Sequence, residues 1–191
     1  MGLFDNLKKK IRMKADINKG INEYLQKQEK FKYLKKDELI SIPDSDLRIA
    51  VMSWIWGKFD EDWTDQYEIV ESLPKPCRDV YACCTVVDEI YNGGLNQLFF
   101  NSTGQFVRMA QEGFRALGNE ALSSIMENAI GIYEKNKKLL EKYNDGTVKG
   151  FSESYNENLF NELDDRFFEE EPGFDGYLET YIRNNERAFG D

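Results

Sequence analysis

Residues 76–93 read PCRDVYACCTVVDEIYNG, and within them Val80, Cys83, Cys84, Val87 and Tyr91 recur at spacings of three and four. That spacing is the period of one helical face. Pro76 suits a first helical turn, where a missing N–H costs nothing, and Gly93 suits a left-handed stop at the other end. A helix is predicted here, bracketed by both of its boundary signals.

The same period continues outward. Pro43, followed by Asp44 and Asp46, opens a helix whose Leu47, Val51, Trp54 and Ile55 share a face. Before it, Ile21, Tyr24, Leu25 and Phe31 stripe a Lys- and Gln-rich stretch that reads as a long exposed helix. After it, Phe106, Met109, Ala110 and Leu117 stripe a helix that Gly118 stops. Asn119 then caps a helix carrying Leu122, Ile125, Met126, Ala129, Ile130 and Tyr133. Residues 144–152 read as a linker. Leu159, Phe160, Leu163 and Phe167 stripe an acidic helix, Pro172-Gly173 breaks it, and Leu178, Tyr181 and Ile182 stripe the last. Strand-type alternation never persists. The expectation is an all-α fold, a single irregular helical bundle of about eight or nine helices. Residues 37–191 form the bundle, and residues 1–36 form a basic amphipathic extension.

The chain has 191 residues, 41% hydrophobic and 14% aromatic, enough for one sizeable core. No apolar run approaches the ~20 residues of a membrane-spanning helix. Met1 to Lys14 lacks a secretory h-region, and Asn6 stands where a myristoylation pattern needs Ser or Thr. Cys77, Cys83 and Cys84 are odd in number and clustered, which suits a reducing compartment and makes the cytoplasm the default location. There is no histidine, which removes the commonest general base, the commonest metal ligand and every Ser-His or Cys-His nucleophile. No catalytic residue, cofactor or metal site is predicted.

The net charge of −10 is unevenly spread. Residues 1–40 hold eleven Lys/Arg against six Asp/Glu, whereas residues 151–191 hold three against twelve. A basic head and an acidic tail point toward charged partners.

The stretch Glu89 to Gly104 departs from ordinary helix sequence. Gly93-Gly94 allows a tight corner with positive φ, and Asn92, Gln97 and Asn101 are amides suited to closing the backbone groups such a corner frees. It is no phosphate loop, because a P-loop Lys and a preceding strand are both missing. Glu89, Asn92, Gly93, Gly94, Gln97, Phe99, Asn101 and Gly104 spell E-x-x-N-G-G-x-x-Q-x-F-x-N-x-x-G. This resembles the signature of the bacterial family typified by the neisserial DNA-mimic protein, most members of which remain uncharacterised. Leu73-Pro74 with Arg78 and Tyr81, Ala116-Leu117-Gly118, Leu163 to Phe167 and Tyr181 to Asn185 resemble its flanking segments, so that the likeness runs from Asp37 to Phe189. The resemblance implies an all-helical, dimeric protein that presents acidic side chains as DNA presents phosphates, and a partner that is a DNA-binding transcription factor. The signature itself is read as a structural corner.

Glu162, Asp165 and Glu169 fall at helical spacing opposite the apolar stripe, and Glu170, Glu171, Asp175 and Glu179 extend the acidity. They are the candidate partner-binding face, for a basic protein such as a DNA-binding regulator or a toxin. Direct nucleic-acid binding is not expected of so acidic a chain. Two other readings stay open. A carboxylate-based enzyme would use Asp88 or Glu89 beside the double glycine, with a raised pKa. A membrane-peripheral protein would use Leu3, Phe4, Leu7 and Ile11 with Lys8, Lys9 and Lys10 as an interfacial helix. Trp54, Trp56, Trp63 and Phe59 read as core or subunit packing. Cys83 and Cys84 read as buried thiols. Asp164-Asp165 and Glu169 to Glu171 lack the spacing of a metal loop.

Overall fold

The computed structural model describes the backbone of residues 3–60 and 62–191, and the side chains of residues 16–60 and 62–191. Helices α1 (Leu3–Phe31), α2 (Asp44–Trp56), α3 (Gln66–Ser72), α4 (Lys75–Phe100) and α5 (Val107–Ala116) are followed by α6 (Glu120–Leu140), α7 (Val148–Ser154), α8 (Asn161–Glu170) and α9 (Phe174–Asn184). Short 3-10 turns join several of them, and there is no strand among the described residues. The all-α bundle expected from the sequence is the fold.

α4 runs through the middle, against α2, α3, α5, α8 and α9. Its Cys77, Val80, Tyr81, Ala82, Cys83, Cys84, Val86, Val87 and Ile90 are all buried. A helix apolar on most sides is one wrapped by neighbours. The closest approach is to α5, where a Cβ on Gly113 would lie 2.7 Å from Cys83 Sγ. Asp79, also buried, is satisfied by the Lys75 ammonium at 2.7 Å and the Tyr181 hydroxyl. Phe31 and Leu34 join the core, and the Leu34 carbonyl accepts from the Asp191 N–H at 3.1 Å.

Boundary signals hold in most places. Asn119 caps α6, its side-chain oxygen accepting the Leu122 N–H at 3.0 Å, and Gly118 takes φ 84° before it. Two expectations need correction. The stretch read as a linker contains α7, because Thr147 Oγ1 accepts the Gly150 N–H at 3.0 Å and so starts a helix that composition hides. The left-handed residue at the corner is Gly94 and not Gly93. Gly93 is extended at φ −172°, whereas Gly94 has φ 72°, and the chain resumes helical geometry directly afterwards. The residues of the expected interfacial helix, Leu3 to Ile11, lie in the backbone of α1, but their side chains fall outside the described residues.

The break in α4 leaves backbone groups without helical partners. Asp164 of α8 takes the Leu95 N–H on Oδ1 at 2.8 Å, and the Tyr155 hydroxyl donates to the Gly93 carbonyl at 2.8 Å. A Cβ at Gly94 would stand 2.8 Å from Asp164 Oδ2. Gly94→Val is therefore expected to cost about 1–3 kcal/mol, through a β-branched residue at positive φ and a displaced Asp164. Gly93→Ala meets the Gln97 side chain, whose Cβ is 3.0 Å away, but at a φ that any residue adopts, and should cost less. Thermal unfolding of both variants checks the order. An unchanged melting temperature for Gly94→Val would show that the corner constrains nothing.

Candidate partner-binding surface

Two signature amides, Gln97 and Asn101, meet on the carboxylate of a third signature residue, Glu89. Glu89 Oε1 accepts from Gln97 Nε2 at 2.7 Å and from Asn101 Nδ2 at 2.7 Å, while Oε2 accepts the Thr103 hydroxyl at 3.0 Å. The amides at 97 and 101 thus serve Glu89 and not the backbone groups that the corner frees. Those groups are served from elsewhere, by Asp164 and Tyr155, which sequence reasoning did not connect to the corner. Asn92 is exposed, and Phe99 stacks on Tyr133 with ring centroids 4.4 Å apart. At Gly104 a Cβ would lie 2.8 Å from the Leu98 carbonyl oxygen, so the turn closes tightly on the end of α4.

Asp88 and Glu89 diverge. Asp88 receives Arg48 Nη2 at 2.6 Å, and Arg48 also reaches Asp175 Oδ1 at 3.4 Å and lies over the Phe174 ring. Arg48 thereby ties α2 to α4 and α9. Burial raises the Asp88 pKa above the ordinary carboxylate value, against the lowering pull of Arg48. The two carboxylates face different neighbours and form no common site. Burial likewise pushes Cys84 up to about 12 and Cys83 well above the usual thiol value, so both stay protonated at neutral pH. Among the described residues no group of His, Cys, Asp and Glu could hold a metal ion, and no helix is long and apolar enough to cross a membrane.

The acidic residues lie on α8, α9 and the turn between them. Leu163 and Phe167 face the core, while Glu162, Asp165, Glu169 and Glu170 are exposed. None of these four carboxylates is in an ion pair among the described residues. Glu171 is half-buried and accepts the Tyr91 hydroxyl, Asp175 is exposed and held by Arg48, and Glu179 is half-buried. Two exposed rings sit among them. Tyr91 (56% exposed) and Phe168 (44%) meet edge to face with centroids 5.5 Å apart. The aromatic cluster read as core or subunit packing divides: Trp54 is buried, Trp56 and Phe59 are half-buried, and Trp63 is 45% exposed.

Residues 71–185 match the family model described as DMP19-like protein. The matched stretch holds the corner, α8 and α9. No curated protein and no solved structure matches the chain.

Asp164 offers a test of how the corner is held. Asp164→Ala removes the acceptor of the Leu95 N–H and is expected to cost about 0.5–2 kcal/mol, as loss of a helix cap does. Asp164→Asn keeps an acceptor oxygen and should cost less. Burial raises the Asp164 pKa, so its contribution is fullest below the ordinary carboxylate value and is lost as pH rises through the raised folded value. Urea unfolding across that range should show Asp164→Asn gaining on the parent as pH rises. A difference independent of pH would contradict the raised value.

Proposed function

We propose that this chain, which belongs to the DMP19-like protein family, is a non-enzymatic binding protein whose acidic face occupies the basic surface of a DNA-binding protein. The observation that carries the reading is the row Glu162, Asp165 and Glu169 along the outer side of α8, exposed and without a cationic partner among the described residues. Carboxylates three or four residues apart on a helix stand ~5–6 Å from one another, a spacing that a basic groove built for phosphates can engage. Family membership supports the same reading.

The rings at Tyr91 and Phe168 pack on each other between α4 and α8 and still leave apolar surface exposed beside the carboxylates. Interfaces place aromatic anchors inside a polar rim, and here the carboxylates of Asp165, Glu169 and Glu171 supply that rim. Long-range attraction from the carboxylates would raise the association rate, and the rings would slow release.

The test is capture of DNA-binding proteins from the native cell on the immobilised full chain, with duplex DNA and salt as competitors. Captured proteins should be released by duplex DNA and by rising salt, because exposed charges are screened within about 10 Å at 0.1 M ionic strength. Replacing Glu162, Asp165 and Glu169 by Lys should abolish capture while changing stability by under ~0.5 kcal/mol per exposed site. Phe168→Ala should weaken capture with the charges intact. A captured protein that binds DNA and this chain together, each at undiminished affinity, rules out competition for one surface.

A further inference from the structure

A cleft lined by none of the residues of the acidic face lies outside residues 71–185, where α1 passes the C-terminal end of α2. It encloses about 600 Å³, and Leu25, Glu29, Ser53, Trp56, Phe59 and Trp63 line it. Three properties set it apart from a packing defect. Trp63 has φ 54°, a left-handed conformation that bulky residues rarely adopt. The turn around it is tied down, with the Trp63 N–H on the Asp60 carbonyl at 3.3 Å and the Asp60 carboxylate accepting the Thr64 N–H at 3.2 Å and its hydroxyl at 3.1 Å. The conformation leaves the indole 45% exposed, 5.1 Å from the Phe59 ring, and Phe59 is braced from the core by Tyr81 at 5.5 Å. Independently, Ser53 is only 3% exposed, and its hydroxyl has no hydrogen-bond partner among the described residues. Buried polar groups are nearly always satisfied, so an orphan at a cleft points to a missing partner.

The charge of the walls selects that partner. Glu29 and Asp60 line the cleft, and Asp62 and Asp65 are exposed beside Trp63. The cation in the lining, Lys32, stands 5.9 Å from the ring of Tyr33. Aromatic faces in negative surroundings favour an organic cation. A guanidinium fits better than an ammonium, because it is planar, stacks on an indole, and carries five donors for Ser53 Oγ and the carboxylates. We propose that this cleft receives an arginine side chain of the bound partner. The assignment rests on the reading that the partner is a basic protein, and it adds a second point of attachment on a different face.

The test uses N-acetyl-argininamide as the probe, and follows the indole N–H signals of the full-length protein by two-dimensional NMR. Saturable shifts at Trp63 and Trp56 are expected, with none from the neutral citrulline analogue. Trp63→Ala, followed through Trp56, should weaken binding about tenfold, as loss of a desolvated cation–π contact does. Glu29→Gln, on an exposed side of α1, should weaken it without disturbing the spectrum. No saturation, an equal response to the citrulline analogue, or unchanged affinity in Trp63→Ala overturns the proposal. The probe needs no acidic face, so the variant with Lys at 162, 165 and 169 should still bind it. If it binds while that variant captures proteins as before, the DNA-competition reading fails and the cleft stands. If capture is sensitive to DNA and the probe does not bind, the cleft alone fails.

Discussion

The carboxylate of Asp164 accepting the Leu95 N–H is the contact on which the arrangement of this bundle turns. α4 is buried on most of its circumference, and its break frees the N–H of the buried Leu95 and the more exposed carbonyl of Gly93. A buried group left unpaired in this way costs about 1–3 kcal/mol. The bend is tolerable because Asp164 and Tyr155 meet the freed N–H and carbonyl, and because Gly94 can take φ 72° with no Cβ to strike that carboxylate. Glu89 then draws Gln97, Asn101 and Thr103 back onto the first half of the helix, which fixes the angle of the second.

This corner also sets the orientation of the acidic face. Asp164 is drawn inward to the corner, and Leu163 and Phe167 pack on the same side. On a helix with 3.6 residues per turn, Glu162, Asp165 and Glu169 are then left on the outer side. One carboxylate of the Asp164-Asp165 pair holds the fold and its neighbour faces solvent. Two adjacent residues of like composition thus divide into structural and surface roles by helical geometry alone.

The helical period was legible throughout, because each apolar stripe records its own burial: Val80, Cys83, Cys84 and Val87 are all in the core. Local caps were legible for the same reason, since Asn119 and its donor Leu122 are three residues apart. What escaped was long-range. Leu95 and Asp164 are 69 residues apart, and nothing in either neighbourhood announces the other. The amides near the double glycine therefore read as the closers of the corner, while Gln97 and Asn101 are committed to Glu89 and Asn92 is exposed. α7 escaped because Thr147, Gly150 and Ser152 carry loop chemistry until the Thr147 cap is seen. Trp63 read as core or subunit packing because composition does not record a backbone held at positive φ, which becomes visible only with the turn around Asp60.

The separation of the corner from the acidic face has an energetic rationale. Exposed like charges ~5–6 Å apart on a helix repel by only a few tenths of a kcal/mol, less when salt screens them. The Leu95 N–H bond to Asp164, partly shielded from water, is worth more than that. The outer side of α8 can therefore carry an uncompensated charge row without endangering the fold. Arg48 extends the same economy beyond the matched stretch. From α2 it neutralises Asp88 and Asp175, the carboxylates nearest the junction of α2, α4 and α9, and leaves Glu162, Asp165 and Glu169 outside its reach. On the reading proposed above, a cationic surface that approaches α8 would meet carboxylates with no ion pair to break among the described residues.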